Sequence, residues 1–289
     1  MLGYYLTIPF VYLLSYLPFG VLYAIADVIA FLLHRIIRYR KALIIQHLQQ
    51  AFPEKDTGEI NALVKQYYKH LGDRIVESIK CTTISREEVL KRCPVENYEL
   101  VENLCKQGKN VVAVLGHCGS WEMACLSASI YISGYRKYAV YTAASNKRFD
   151  NFLKRTRGRF GMQLLSMKEM PAYLRFGFGG VAVGMYLADQ GHSNPRRAYW
   201  TRFLNRETGF MTGPARFAKG HNGALVFVKV KQTVRGYYSI ENVLLADDVQ
   251  ALTEQELTER FVRLLEQQIH EAPSDWLWSH KRWKHARPK

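Results

Sequence analysis

The sequence predicts an α/β fold, a mostly parallel central sheet flanked by helices, preceded by an N-terminal membrane-associated helix. Three observations carry this. From about residue 110, short apolar runs alternate with helix-periodic runs, the pattern of chains that wind parallel strands through crossover helices. Between residues 35 and 92 the apolar residues recur at helical spacing. From Leu2 to Leu33 a single residue, Asp27, is charged.

That first segment exceeds the roughly 20 apolar residues a spanning helix needs. Pro9 and Pro18 interrupt it and Gly20 follows, so a helix lying in the interface is the alternative to a clean span. A cleaved signal peptide fits poorly, because the start is not basic and the apolar stretch is too long. The following "HRIIRYRK" brings Arg35, Arg38, Arg40 and Lys41, the flank expected on the cytoplasmic side of a membrane segment. Tyr4, Tyr5, Tyr12, Tyr16 and Tyr23 suit a membrane interface. The expected division is an anchor helix over 1–34 and one domain over 35–289. A buried N-terminal helix of a soluble protein is the competing reading.

Within "EINALVKQYYKHLGDRIVESIK", Ile60, Leu63, Val64, Tyr67, Tyr68, Leu71, Ile75 and Ile79 share one helical face. "REEVLKRC" predicts another short helix. "NVVAVLG", "KYAVYTA", "GVAVGMYLAD", "ALVFVKV" and "YYSIENVLL" predict strands; "SWEMACLSASIYI", "KRFDNFLKRTRGRF", "EMPAYLRF" and "GPARFAKG" predict helices. Thr212 is a candidate cap of the last of these, with Pro214 in its first turn. A final helix begins at Thr253, whose pairing with Glu256 matches a capping box. The segment "RRAYWTRFLNR" admits two readings, a membrane-contacting flap or a loop with buried aromatics. His192 and His221 are expected to pack or face solvent. Trp276, Trp278 and Trp283 are expected to pack or to lie at an interface.

The chain has 289 residues, 48% hydrophobic and 22% charged, which is enough for a substantial core and argues against global disorder. It carries 40 Lys+Arg against 25 Asp+Glu, a formal charge of +15. Such an excess points to an anionic partner: nucleic acid, an anionic membrane or an acidic protein. No nucleic-acid module is recognisable. The five cysteines, Cys81, Cys93, Cys105, Cys118 and Cys125, are odd in number and have no C-x-x-C spacing, against a disulfide framework or a zinc ribbon. Cys118 beside His117 raises a thiol nucleophile as a candidate; a small residue filling a turn is the simpler reading.

In "AVLGHCGSWEMACL" an apolar run breaks at Gly116, and His117 follows at the carboxyl end of the predicted strand, where ligand sites of open α/β sheets gather. Glu122 falls in the first turn of the next helix, where a carboxylate is favoured. If the turn folds back, Glu122 reaches one ring nitrogen of His117, fixes the tautomer and leaves the other nitrogen to take a proton from an alcohol. Ser120 is near, but there is no G-x-S-x-G elbow. A His–Glu dyad without a serine suits direct attack by a substrate hydroxyl. The bland alternative is a helix-capping Glu and an incidental turn His.

"HCGSWE" after an apolar strand resembles the H-x4-D/E motif of the glycerolipid acyltransferase superfamily. More closely, the chain resembles the lipid A late acyltransferases, the lauroyl- and myristoyltransferases of Gram-negative bacteria. The likeness runs over nearly the whole chain: the apolar N-terminus, "RYRKALIIQHLQQAFPEK", the H-x4-E motif, "KRTRGRFG", "LADQ", "MTGPARFA" and the terminal "WLWSHKRWK". The phosphatidate-forming relatives usually carry N-H-x4-D and E-G-T-R, which are absent here. Two departures from the family pattern stand out: "FLN" at 203–205 in place of an "FFG"-like stretch, and no proline within "ALVFVKV".

The resemblance implies His117 as base and Glu122 as its partner, with Arg157 and Arg159 binding substrate phosphate or the developing oxyanion. Asp189 occupies a matching strand-end position and is assigned to substrate binding. The bland reading of Arg155, Arg157 and Arg159 is a solvated helix face. The resemblance further implies an acyl thioester donor on acyl carrier protein, a lipid A precursor as acceptor and contact with anionic membrane lipids. It implies the cytoplasmic face of the inner membrane, and no nucleic acid, metal or cofactor. Alternatives are an acyltransferase acting on a lysophospholipid or aminolipid, and a non-catalytic basic protein that binds membrane or nucleic acid.

Overall fold

The computed structural model describes residues 2–191 and 194–288; His192 and the side chains of Tyr4 and Tyr5 lie outside what is described. The apolar N-terminus divides into two helices, α1 (Leu2–Ser15) and α2 (Phe19–Phe31), and a π-helical turn over Leu32–Ile36 prolongs α2. The break falls at Pro18, the N-cap of α2, whose ring fixes φ at −59° and removes the N–H a continuous helix would need. The stretch Phe19–Ile36 is long and apolar enough to cross a membrane. In α2 only Leu22 and Ala26 are buried, packed with Val76 in a narrow seam. Gly72 makes the seam possible: a Cβ there would stand 2.5 Å from the Ala26 carbonyl oxygen. Asp27 accepts from Arg235 at 2.6 Å, and the same guanidinium binds Asp73.

Helices α3 (Lys41–Ala51), α4 (Thr57–Lys80), α5 (Arg86–Arg92) and α6 (Tyr98–Lys106) follow. Asp56 and Glu59 close a capping box on α4. Helix α6 was not among the expected elements. The remaining chain alternates as β1 (Asn110–Leu115), α7 (Trp121–Tyr131), β2 (Arg136–Tyr141), α8 (Lys147–Arg157), β3 (Gln163–Ser166), α9 (Met170–Phe176) and β4 (Ala182–Leu187), each of them anticipated except β3. Then come β5 (Tyr199–Phe203), β6 (Arg206–Phe210), α10 (Gly213–Gly220), β7 (Gly223–Val234), β8 (Tyr237–Ala246) and α11 (Glu254–Glu271). Thr253 and Glu256 form the predicted capping box on α11. Thr212 stands at the cap position of α10 without a side-chain capping bond.

Six strands form one sheet in the order β3-β2-β4-β1-β7-β8, with β8 antiparallel and the rest parallel. Both faces are covered, as a parallel sheet requires. Alternation along β1 sends Val112 and Val114 into one core with Tyr186, Phe227 and Leu265, and Ala113 and Leu115 into another with Met123 and Met185.

The segment "RRAYWTRFLNR" holds an antiparallel hairpin, β5–β6, rather than an irregular loop. Its turn residues Leu204 and Asn205 both have positive φ, 49° and 63°, the backbone of a two-residue hairpin turn. The departure "FLN" is therefore mild in backbone terms, since asparagine tolerates the left-handed region better than other non-glycine residues. Phe203, Leu204 and Phe210 are buried, which supports the reading of buried aromatics. Trp276 and Trp278 are buried as well.

Candidate active site

The parallel pairing of β1 with β4 ends at Leu115↔Leu187, and Ala188 N–H donates to the Leu115 carbonyl. His117 and Asp189 each stand two residues beyond that last pair, so the register brings them together at the carboxyl edge of the sheet. His117 Nδ1 lies 2.6 Å from Asp189 Oδ1, and the His117 backbone N–H donates to Asp189 Oδ2 at 2.8 Å. Trp276 Nε1–H donates to the same Oδ2 at 2.7 Å. Burial alone would raise the Asp189 pKa, but the adjacent imidazole and these donors outweigh it and hold the carboxyl at about 2. An ionised Asp189 takes the Nδ1 proton as a hydrogen bond, which leaves Nε2 as an acceptor. The Gln190 amide nitrogen, a donor, lies 3.2 Å from Nε2 and agrees with that tautomer.

The turn carrying His117 is shaped by two glycines. A Cβ on Gly116 would stand 2.4 Å from Leu265 Cδ1, so any other residue there would have to displace that side chain of α11. Gly119 has φ of +59°, a conformation other residues adopt at a cost.

Glu122 does not meet His117. It faces α8 instead, where Arg157 Nε donates to Oε2 at 2.7 Å and Nη2 to Oε1 at 2.5 Å. The expected dyad partner of His117 is thus replaced by Asp189. The reason is geometric: Glu122 lies in the first turn of α7, the turn from His117 to Ser120 carries it toward α8, and a bidentate guanidinium waits there. The fork engages Nε and Nη2 of Arg157, which also lines the cavity described below. Arg159 points elsewhere, donating to the Cys81 carbonyl at 2.9 Å and lying over the Phe160 ring.

His117, Arg157 and Gln190 sit at the edge of a cavity of about 550 Å³, within the size range of small-ligand sites. Its walls are mainly apolar: Val140, Met167, Met170, Leu174, Leu187 and Met211. Cys118 is no nucleophile in this arrangement. It is buried, and burial pushes its thiol well above the usual range. His221 packs on Phe217 and bonds the Leu174 carbonyl, as expected of a packing histidine. Among the described residues no group of three or more His, Cys, Asp or Glu is arranged to hold a metal ion.

The sequence assigns Asp189 to substrate binding, whereas in the structure its carboxylate bonds His117 Nδ1; the signal for that pairing is the matched ending of two strands. The sequence assigns no role to Trp276, Gln190 or Gly116. A comparison with curated proteins returned no match. The family model of the bacterial lipid A biosynthesis acyltransferases matches residues 1–285. With that match spanning the apolar helices, the sheet and the histidine at its edge, the chain belongs to the bacterial lipid A biosynthesis acyltransferase family.

Proposed function

We propose that this acyltransferase is bound to the inner membrane, with its catalytic domain on the cytoplasmic face. It moves a fatty acyl chain from a thioester on acyl carrier protein to a hydroxyl of a lipid A precursor. The observation that carries the chemistry is the orientation of His117: Nδ1 is held by Asp189, and Nε2 is presented beside an apolar cavity.

The acyl chain lies along Met167, Met170 and Leu174, with its carbonyl near His117. Nε2 removes the acceptor's hydroxyl proton as the oxygen attacks the thioester carbon. Asp189 stabilises the imidazolium that forms. The carbon–sulfur bond then breaks, and the imidazolium returns its proton to the departing thiolate. Arg157, at the same edge, offsets negative charge on the tetrahedral oxygen while Glu122 fixes its guanidinium. The thioester supplies the activated carbonyl, so the scheme calls for no cofactor or metal.

Working at a membrane suits the acceptor. Burying a methylene is worth about 0.8 kcal/mol, so lifting a chain of about twelve carbons into water costs roughly 9 kcal/mol. The charge of +15 complements an acidic carrier, phosphorylated acceptors and anionic lipids.

Removing the protein from its host is expected to leave lipid A lighter by one secondary acyl chain, read by mass spectrometry, with glycerophospholipids unchanged. Unchanged lipid A with an accumulated lysophospholipid or monoacylated aminolipid would overturn the acceptor assignment. Purified His117→Ala is expected to lose about 10²-fold or more in turnover while remaining folded and membrane-bound.

A further inference from the structure

Strand order puts β4 on one side of β1 and β7 on the other, so the turn after β1 has a flank toward each. The apolar cavity occupies the β4 flank, where His117 lines it. On the β7 flank lies a second cleft of about 740 Å³, and Cys118, the next residue of the same turn, lines that one. Its walls are the end of β7 from Lys229 to Val234, the middle of α4 and the loop that follows α11. Turn and cleft wall are in contact: a Cβ on Gly119 would stand 3.0 Å from Val230 Cγ1. The Val230 carbonyl accepts from Gln268 Nε2 at 2.7 Å. Gln268 is buried in the cleft wall, and its Oε1 has no hydrogen-bond partner among the described residues.

The charges of the cleft do not cancel. Lys229 pairs with Glu271, Arg235 with Asp73 and Asp275 with Arg74, each at 2.6 Å. His70 Nδ1 lies 3.3 Å from the Ser274 carbonyl and 3.6 Å from Asp275. Lys69 and Lys231 line the cleft, are exposed, and make no ion pair among the described residues. Their fields reach Asp27 and Glu271 only at longer range. The rim adjoins the apolar N-terminus. Arg235, which lines the cleft, also binds Asp27 and the Tyr23 carbonyl of α2, at 2.6 and 3.2 Å, and Val234 beside it is exposed. Two ammonium groups without counterions suit a phosphate, and an acceptor without a donor suits a hydroxyl. An apolar helix at the edge places both at a lipid surface.

We infer that this cleft binds a phosphate ester that carries a hydroxyl, the headgroup of an anionic glycerolipid or a soluble glycerol phosphate, apart from the cavity that receives the acyl chain. The inference deepens the proposed membrane attachment and rests on it for the lipid as source. Cys118 and Val230 join the cleft to the turn, so the bound headgroup lies behind the segment that carries His117.

The test uses the full chain in nanodiscs of phosphatidylcholine with a minority of phosphatidylglycerol. A nitroxide is attached at Thr233→Cys, on the cleft wall, in a Cys125→Ser background, and the phosphorus resonances of the two lipids are read. The phosphatidylglycerol line is expected to broaden more than the phosphatidylcholine line. Lys69→Gln/Lys231→Gln is expected to raise the phosphatidylglycerol fraction that gives half the effect about tenfold. Lys91→Gln/Lys106→Gln, an equal loss of charge on α5 and α6, is expected to leave it unchanged. In discs of phosphatidylcholine alone, or in neutral detergent, sn-glycerol 3-phosphate is added instead. Broadening of its line that the first charge pair abolishes, without a lipid preference in the mixed discs, assigns the same seat to a soluble ligand. Equal broadening of both lipids with no effect on glycerol phosphate overturns the inference. So does a loss shared equally by the two charge pairs, which marks general attraction of a basic chain to an anionic surface. Binding is read without turnover and the soluble arm without a membrane, so failure of the proposed acyl transfer or attachment is distinguishable from failure of the site.

Discussion

Two carboxylates each hold a side chain that lines the cavity, Asp189 that of His117 and Glu122 that of Arg157, and they are built differently. Asp189 is buried at a strand end, holds three donors, two from His117 and one from Trp276, and stays ionised down to about pH 2. Glu122 sits on a helix, is partly open to solvent, and spends both oxygens on one arginine. The first is placed by strand register and serves a histidine. The second is placed by helix geometry and serves a cation. Five residues separate His117 from Glu122 in sequence and seventy-two separate His117 from Asp189, yet the distant one makes the contact. Proximity along the chain is a poor guide to partnership where parallel strands end side by side.

The contrast is open to measurement. Asp189→Asn is expected to lower turnover by about 10²–10⁴-fold, because an amide neither holds the Nδ1–H tautomer in the same way nor stabilises imidazolium. Glu122→Gln is expected to cost about tenfold, the rate equivalent of roughly 1.4 kcal/mol. Equal losses in purified protein would mean that His117 and Glu122 pair during the reaction, as the family resemblance implies.

The second pair has its own signature. If Glu122 acts by holding Arg157, then Glu122→Gln/Arg157→Gln should be no slower than the slower of the two single variants. Additive losses in steady-state assays would assign the two residues independent tasks.

A third acid extends the comparison in the opposite direction. Glu77 on α4 is fully buried between Tyr23 of α2 and Tyr238 of β8, both donating at 2.9 Å. Burial raises its pKa to about 7 against the hydrogen bonds from Ser120, Tyr238 and Tyr23, with Asp73 adding to the rise. A raised carboxyl pKa stabilises the fold fully below the unfolded value and loses that contribution as pH rises through about 7. Asp189 behaves oppositely, its contribution present above the ordinary carboxylate range and lost only toward pH 2. The thermal midpoint in detergent should therefore fall between about pH 5 and about pH 8, and Glu77→Gln should flatten that slope. An identical slope in the variant would assign the pH dependence to other groups.

Much of this architecture was legible because apolar periodicity is local. The strand just before Asp189, the capping box at Thr253 and the glycine break before His117 all announce themselves within a few residues. Strand β3 did not, since four residues, "QLLS", are too short to show alternation. Helix α6 escaped because "YELVENLCK" offers only Leu100, Val101, Leu104 and Cys105 as an apolar side. The hairpin at Leu204–Asn205 hid because its turn lacks the usual glycine. Above all, no local pattern reveals that β4 rather than β2 lies beside β1, and that neighbour relation is what gives His117 its carboxylate.

The bond from Trp276 to Asp189 carries a consequence for the order of events in synthesis. Chains emerge from their amino ends, and domains fold as they appear. Helices α1 and α2 are therefore made, and free to enter lipid, before any strand exists. Trp276 follows all eight strands and α11. It completes the cage around Asp189 and bridges to Cys118 in the turn that carries His117. On the proposed function, a nascent chain has its apolar helices ready for the membrane first and gains a fully ordered His117 last, so that transfer would start only once the protein is where its acceptor lies.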